Sequence, residues 1–376
     1  MHCLLICCVY IIRIMLNSIF KAPLLDNLIK YKYTFLCFGG SMSNCFIPEG
    51  YKACLDLYET QKAITVIKRK LESEIEERLN LKRVSAPLFV DPNTGLNDNL
   101  NGTERAVRFN IPSAGIDAEV IHSLAKWKRM ALYRYDFNMG KGLYTNMNAI
   151  RRDETLDNLH SVYVDQWDWE KIISIEERNE KTLKETVRQI AKAIKSTHIT
   201  LRNRFPQIRT HIEEDVYFIS SQELLDMYPH LPPKAREYEI TKKHGLVFIS
   251  QIGKILSNGE RHDGRSPDYD DWELNGDILY YHAPLDCALE ISSMGIRVDA
   301  KSLDRQLRIS NCDDRRELAY HKMLLNSQLP LTIGGGIGQS RLCMLLMGNA
   351  HIGEVQSSIW DEQTNAICQS CGVILL

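Results

Sequence analysis

Three stretches place arginine, two of them together with carboxylates, inside runs that otherwise read as buried strand. They are Asp263-Gly-Arg265-Ser-Pro-Asp-Tyr-Asp270-Asp-Trp, Glu290-Ile-Ser-Ser-Met-Gly-Ile-Arg297 and Gly334-Gly-Gly-Ile-Gly-Gln-Ser-Arg341. A charge in mid-strand is costly unless a partner or ligand meets it, so these runs have to converge. Alternation puts Glu290 on one face with Ser292, opposite Leu289 and Ile291. Its charge requires a cation, for which Arg265, Arg297 and Mg²⁺ are the candidates; a purely structural Glu–Arg pair fits the residues equally well. Arginine forks phosphate through paired N–H donors, and Mg²⁺ binds carboxylates together with phosphate oxygens. Gathered on one sheet, the set suits a nucleotide polyphosphate with its magnesium.

The glycine-rich run reads as strand, glycine turn and apolar helix. Glycine lets backbone and ligand approach closely, and a helix start favours anions. It is no Walker loop, since no Gly-Lys-Ser/Thr follows, and it lacks the following strand and acid of a dinucleotide-binding unit. Its weight comes from Arg341 beside it.

Ser161-Val-Tyr-Val-Asp165-Gln166-Trp-Asp168-Trp-Glu170 alternates, placing Gln166, Asp168 and Glu170 on one face. Two tryptophans on the other positions imply a strand covered on both sides, which makes Gln166 and Asp168 candidates for a polar ligand. Val120-Ile-His-Ser123-Leu-Ala-Lys126-Trp-Lys128-Arg129 begins as strand and becomes a cationic helix. Charges on such a helix usually form a solvated face, but their place beside Trp127 points to a carboxylate or phosphate site. Asn97-Asp98-Asn-Leu-Asn-Gly is turn chemistry. Asn101-Gly-Thr matches a glycosylation acceptor and is read as chance.

The scaffold is legible in part. Apolar residues from Ile64 to Leu79 are spaced for one helical face, with Asn80 available to end it, and a proline-bearing edge strand follows around Pro87. A second amphipathic helix spans about 176–204. Ser220 with Glu223 offers a capping box, Pro232-Pro opens a helix closed at Gly245, and Leu246–Ile252 reads as a buried strand.

The 376 residues are 44% hydrophobic and 25% charged, with net charge −2. No basic block marks a nucleic-acid reader. The 11 cysteines, six of them before residue 55, show no disulfide framework and imply reduced thiols inside the cell. Cys368-Gln-Ser-Cys371 lacks a second pair at zinc spacing and is treated as incidental. Residues Cys3 to Leu16 are apolar, yet too short to span a bilayer and without a cleavage site. An over-extended gene start, with Met42 as the working first residue, is the expectation, and a weak anchor the rival. The fold is therefore assigned to residues 51–376 as a single domain, with 1–50 as an irregular extension.

Five stretches together resemble the ammonia-dependent asparagine synthetases (aspartate–ammonia ligases). They are 122–129, 160–169, 267–272, 292–299 and 332–341, in the family's order, within a match covering roughly 55–360. The resemblance implies an α+β fold of the class II aminoacyl-tRNA synthetase type, a mixed and mainly antiparallel sheet flanked by helices. It also implies a cytoplasmic homodimer, its helix before Pro87 matching the dimer motif, with no nucleic-acid or membrane partner. The implied reaction makes L-asparagine from L-aspartate, ammonia and ATP with Mg²⁺, through β-aspartyl-AMP. The family pattern implies that Asp98, Ser123, Lys128, Arg151, Gln166, Asp168, Ser293 and Arg297 hold aspartate. It assigns Arg265, Asp270, Asp277, Glu290, Ser292 and Arg341 to the nucleotide, with Glu290 and Asp277 on the metal. Asp98, Arg265 and Lys128 are the catalytic candidates, Asp98 as acceptor of ammonium's proton. Alternatives are an aspartyl- or asparaginyl-tRNA synthetase paralogue, which lacks the expected anticodon-binding barrel here, and a non-catalytic aspartyl-adenylate-binding protein. Glutamine as nitrogen donor requires cysteine at the processed amino terminus, where His2 stands. Two departures stand out: only Glu273 remains where a longer loop lies between Trp272 and Leu274, and the tail beyond Trp360 drifts.

Overall fold

Asp56 starts the first helix, α1 (Leu57–Leu79), by accepting from the Glu59 N–H at 2.7 Å, and Asn80 ends it in the left-handed region at φ 60°. Its buried stripe, from Ala63 through Ile67, Leu71 and Ile75 to Leu79, is the face expected from the spacing. The computed structural model describes residues 44–98 and 104–376, so the apolar stretch 3–16, Met42 and the Asn101 acceptor lie outside the described residues. Cys45–Leu376 forms one compact unit, which begins a few residues before the expected boundary at 51.

Along the chain follow β1 (Leu81–Arg83), β2 (Phe89–Val90), β3 (Arg108–Ile111), β4 (Ile116–Val120), α2 (Ala125–Arg134), β5 (Gly142–Ile150) and β6 (Tyr163–Ile172). Helix α3 (Glu180–Arg204) leads to β7 (Tyr217–Ser220), α4 (Ser221–Met227), α5 (Pro233–His244) and β8 (Leu246–Ser250). The last part holds β9 (Asp270–His282), β10 (Cys287–Arg297), α6 (Ala300–Ile309), α7 (Ala319–Leu325), β11 (Thr332–Gly338), α8 (Gln339–Met347) and α9 (Glu362–Ser370). The capping box at Ser220 and the helix end at Gly245 form where the sequence places them.

Eight strands make the main sheet in the order β1-β5-β6-β11-β10-β9-β8-β7. Only the outer pairs β1–β5 and β7–β8 are parallel, so the sheet is mainly antiparallel, as expected. One face packs on α1, α3 and α8 through Trp167, Trp169, Ile278, Met294 and Ile337. On the other face lie α2, α6 and α7. Both sides of β6 are thus covered, and Asp168 and Glu170 are buried opposite the two tryptophans.

The glycine run corrects the sequence reading. Gly334, Gly335 and Gly336 lie in mid-strand on β11, not in a turn. A Cβ at Gly334 would collide with the Glu170 carboxylate and come within 2.7 Å of Arg297 Nη2, and one at Gly336 would strike Gln166 Oε1. The missing side chains leave room for polar groups reaching across β11. At the start of α8, Asp165 Oδ1 accepts from the Ser340 N–H at 3.1 Å, so a carboxylate of the protein itself already takes one of its amides.

Arg265 stands on a loop, since strand structure begins only at Asp270. At Glu273, where a shortened loop is expected from the sequence, β9 runs on without a break, and a register shift against β10 between Gly295 and Arg297 absorbs the extra residues.

Gly334→Ala should therefore destabilise the protein by about 3 kcal/mol or more, combining overpacking with damage to a buried ion pair. Gly338→Ala, whose Cβ first meets Arg341 Cβ at 3.4 Å, should cost under about 1 kcal/mol. Urea unfolding of the two variants checks this contrast; equal midpoints would refute it.

Candidate active site

Residues from seven stretches of the chain line one cleft of about 390 Å³. Asp98, Ser123, Lys128, Arg151, Gln166, Asp168, Arg265, Asp270, Glu290, Ser293, Arg297 and Arg341 all contribute to its wall. Asp277 joins them through Arg265, whose Nη2 donates to Asp277 Oδ1 at 2.5 Å.

Ser292 does not join them. On β10 it pairs with Ile278 and Ile337, both in the hydrophobic core, while Ser293 pairs with Asp277 and Gly336 on the cleft side. The cause is an irregularity between Glu290 and Ser292, which breaks strict alternation and brings Ser293 to the face of Glu290. The Ser292 hydroxyl is buried without a hydrogen-bond partner. Its expected place at the nucleotide is corrected accordingly.

Arg297 forms the floor. Its Nε and Nη2 fork the Glu170 carboxylate, with Nη2 to Oε2 at 2.8 Å, and its Nη1 bonds Asp270 Oδ1. Thr332 Oγ1 adds a hydrogen bond to Glu170 Oε1 at 2.6 Å. Burial works against the charge on Glu170, but Arg297 outweighs it and holds the carboxyl below its ordinary range. Arg297 thus pairs with Glu170 and Asp270, and the expected bond from Glu290 to Arg297 or Arg265 does not form. A guanidinium carries five N–H groups, so this arrangement leaves Arg297 two for a ligand.

Of Lys126, Lys128, Arg129 and Arg134 on α2, only Lys128 lines the cleft. Lys126 meets Asp268 at 3.2 Å, and Arg129 donates to the carbonyls of Pro330 and Val298. Lys128 Nζ bonds Asp168 Oδ1 and the Gly335 carbonyl at 2.9 Å, which leaves one ammonium proton for a ligand. Burial pulls its pKa below the lysine range, with Asp168 pulling the other way. Asp168 Oδ2 is buried with no hydrogen-bond partner.

The loop carrying Arg265 is anchored from below by Asp268. That carboxylate is fully buried and takes Lys126, Arg315 at 2.9 Å and His321 at 2.9 Å. Arg265 itself donates to Ser293 Oγ and Asp277, and its Nε lacks a hydrogen-bond partner. Burial opposes its charge, yet Asp277 and Asp270 hold its pKa well above the usual value. Arg341 is held loosely, by the Leu159 carbonyl at 3.4 Å and the Glu290 carbonyl at 3.3 Å. Arg151 also lines the cleft, its Nε buried without a hydrogen-bond partner. Beside Asp98, the Asn97 amide oxygen accepts from the N–H groups of Asp98 and His122.

Glu170 and Tyr269 are among the contributors not assigned from the sequence. Glu170 sits on the alternating face with Asp168, so the signal was present; its role as the arginine's anchor required the register. Tyr269 lines the cleft, with the Arg297 guanidinium 5.8 Å from its ring centre, and no local pattern marks it.

Asp277 has a pKa pushed from 3.8 up to about 6, by burial and by the nearby Glu290 charge, with Arg265 pulling it down. The folded protein therefore binds a proton here between 3.8 and about 6 where the unfolded chain does not. The associated stability is present below that window and lost as pH rises through about 6. Relative to Asp277→Asn, the wild type should gain stability on acidification across the window. Urea midpoints at a series of pH values test it, and parallel profiles would remove the assignment.

A family model for aspartate-ammonia ligase matches residues 58–372. The aspartate–ammonia ligase of Clostridium tetani is 58% identical over 331 residues, covering 88% of this chain and 97% of that one. The one from Ruminiclostridium cellulolyticum is 56% identical over 336 residues, covering 89% and 100%. Among solved structures, the asparaginyl-tRNA synthetase from Pyrococcus horikoshii complexed with asparaginyl-adenylate aligns with a TM-score of 0.58 at 15% identity, over 79% of this chain and 68% of that one. The aspartyl tRNA synthetase from Entamoeba histolytica aligns at 0.54 and 14% identity, over 82% and 58%. These structural likenesses establish the class II synthetase fold. The sequence relatives and the extent of the family match go further: the chain belongs to the aspartate–ammonia ligase family.

Proposed function

We propose that this enzyme joins ammonia to the β-carboxylate of L-aspartate using ATP, releasing L-asparagine, AMP and pyrophosphate. The observation that carries the reading is the meeting of Arg265, Arg297, Arg341, Lys128 and Glu290 around one cleft. In the first step the aspartate β-carboxylate attacks the α-phosphorus, forming β-aspartyl-AMP as pyrophosphate leaves. Two anions approach each other there, so the protein's task is to position them and offset their charge.

The free N–H groups of Arg297 and Lys128 are directed to aspartate's carboxylates, and Asp168 Oδ2 is the natural acceptor for its ammonium. Arg151, Gln166, Ser123 and Ser293 complete that end. Arg265, through its unpartnered Nε–H and remaining donors, takes the α-phosphate, and Arg341 lies against the nucleotide. Among the described residues no cation pairs with the Glu290 carboxylate, which is close enough to Asp277 to raise its pKa. Two mutually repelling carboxylates fit Mg²⁺, which takes oxygen ligands and would supply positive charge to the phosphates.

In the second step ammonia attacks the acyl carbon and AMP departs. Ammonium cannot attack while protonated, and Asp98 is proposed to accept its proton. The protein is further proposed to work as a cytoplasmic homodimer through α1. No helix among the described residues is long and apolar enough to cross a membrane.

The primary assay measures AMP, pyrophosphate and asparagine from ATP, aspartate and ammonium, with and without tRNA. Turnover independent of tRNA is expected. Transfer to tRNA, or adenylate binding without turnover, would replace the reading. Asp98→Asn should lower asparagine formation at neutral pH by about 10²- to 10⁴-fold. Aspartate-dependent exchange of pyrophosphate into ATP should survive in that variant. Full activity would exclude Asp98 as the proton acceptor.

A further inference from the structure

Cys368 and Cys371 looked isolated because their sequence neighbourhood offers no further ligands. The fold supplies them from far away. Sγ of Cys45, Sγ of Cys368 and a ring nitrogen of His351 all lie within 4.8 Å of one another. All three residues are buried, at 6%, 1% and 0% exposure.

This meeting is built by several bonds. Asn158 Oδ1 accepts from the Phe46 N–H at 3.0 Å, and its Nδ2 donates to the Phe46 and Ala350 carbonyls, both at 2.7 Å. The segments next to Cys45 and His351 are thus pinned to one side chain. On the other side, Asp361 caps α9, which carries Cys368, and the Leu376 N–H donates to the Gly353 carbonyl at 2.8 Å.

His351 provides the second, independent sign of a ligand. Its Nδ1 accepts from the Gly353 N–H at 3.0 Å, while its Nε2 is buried with no hydrogen-bond partner. Such orphaned polar atoms are rare in folded proteins and call for an occupant. Trp360 packs edge-on against the ring at 4.6 Å, fixing its plane.

We infer that Cys45, His351 and Cys368 form a binding site for a thiophilic divalent cation of the zinc class. The donor set is two sulfurs and one imidazole, the soft and borderline ligands such ions select. A tetrahedral ion with bonds of about 2.0–2.3 Å sets its ligand atoms roughly 3.5–3.8 Å apart, so closing in from 4.8 Å needs only side-chain adjustment. On binding, the two thiols release two protons and both sulfurs become thiolate ligands. The histidine exchanges one hydrogen bond: a metal at Nδ1 displaces the Gly353 N–H, and a metal at Nε2 moves the ring proton to Nδ1. Three protein ligands leave the fourth position to water. The ion would staple the first described residues to the tail, beside Ile352 and Gln356 of the cleft wall.

The test uses the full chain, reduced and freed of metal, titrated with Co²⁺. One equivalent should bind with an intense thiolate-to-cobalt charge-transfer band. Cys45→Ser and Cys368→Ser should each weaken binding by more than the roughly 10–100-fold that an outer-shell change costs, while Cys312→Ser leaves it unchanged. Retained asparagine formation shows that the variants fold. X-ray absorption of the zinc-loaded wild type, which needs no variant, should show two sulfur neighbours with nitrogen or oxygen completing the shell. No stoichiometric uptake, or uptake unaffected by both serine variants, overturns the site. So does a Cys45–Cys368 disulfide that persists in the untreated protein and replaces metal as the occupant.

Discussion

The ion pair between Glu170 and Arg297 reaches across a strand. Glu170 lies on β6 and Arg297 on β10, and β11 runs between them. Gly334 pairs with Glu170 on one side and with Gly295 on the other, so the two charges meet above a residue without a side chain. A buried ion pair is weak evidence for stability, because desolvating two charges offsets most of their attraction. What this pair specifies is register. Moving β11 by one residue would present Ile333 or a different pleat to the pair and close the gap. Asp270 on β9 extends the same lock to a fourth strand, and the cleft floor follows from it.

With that floor set, the remaining groups are positioned from behind. Asp268 ties the loop of Arg265 to α2 and α7, and Asp165 satisfies the start of α8 so that Arg341 emerges over the cleft. Neither acid lies among the residues assigned to substrate, and each carries part of the site's geometry. Arg265 and Arg297 are therefore oriented before any ligand arrives. Preorganised donors of this kind need no rearrangement when charge develops, which is how electrostatic stabilisation contributes most to rate.

Features set within a few residues were legible in the sequence. The ends of α1, the capping box at Ser220, the close of α5 at Gly245 and the two-sided burial of β6 all follow from local chemistry. Features set by pairing were not. The glycine run read as a turn because glycine is the usual turn residue, and only the facing Glu170 explains it as strand. The irregularity next to Ile291 has no local signature, yet it decides that Ser293 and not Ser292 faces the cleft. Glu290 needed a cation by the sequence argument, and the structure gives both neighbouring arginines to other acids. The cluster of Cys45, His351 and Cys368 joins the two ends of the described chain, beyond the reach of any spacing rule.

That allocation of arginines bears on how a triphosphate can bind at all. Along the cleft wall Lys128, Arg151, Arg265, Arg297 and Arg341 face Asp98, Asp153, Glu154, Asp165, Asp168, Asp270 and Glu290. The carboxylates outnumber the cations, and the strongest cations are already paired. An incoming anion with several charges would meet a wall close to neutral or negative, and guanidinium groups alone could not offset it. In the proposed reading, aspartate, carrying its own ammonium, would fit the Lys128–Asp168–Arg297 end without further charge. The nucleotide end, where the Glu290 charge raises the Asp277 pKa, would in the same reading reach balance with a divalent cation accompanying the phosphates. On that reading, the acids that oppose ATP by themselves would be the ones that favour its magnesium complex.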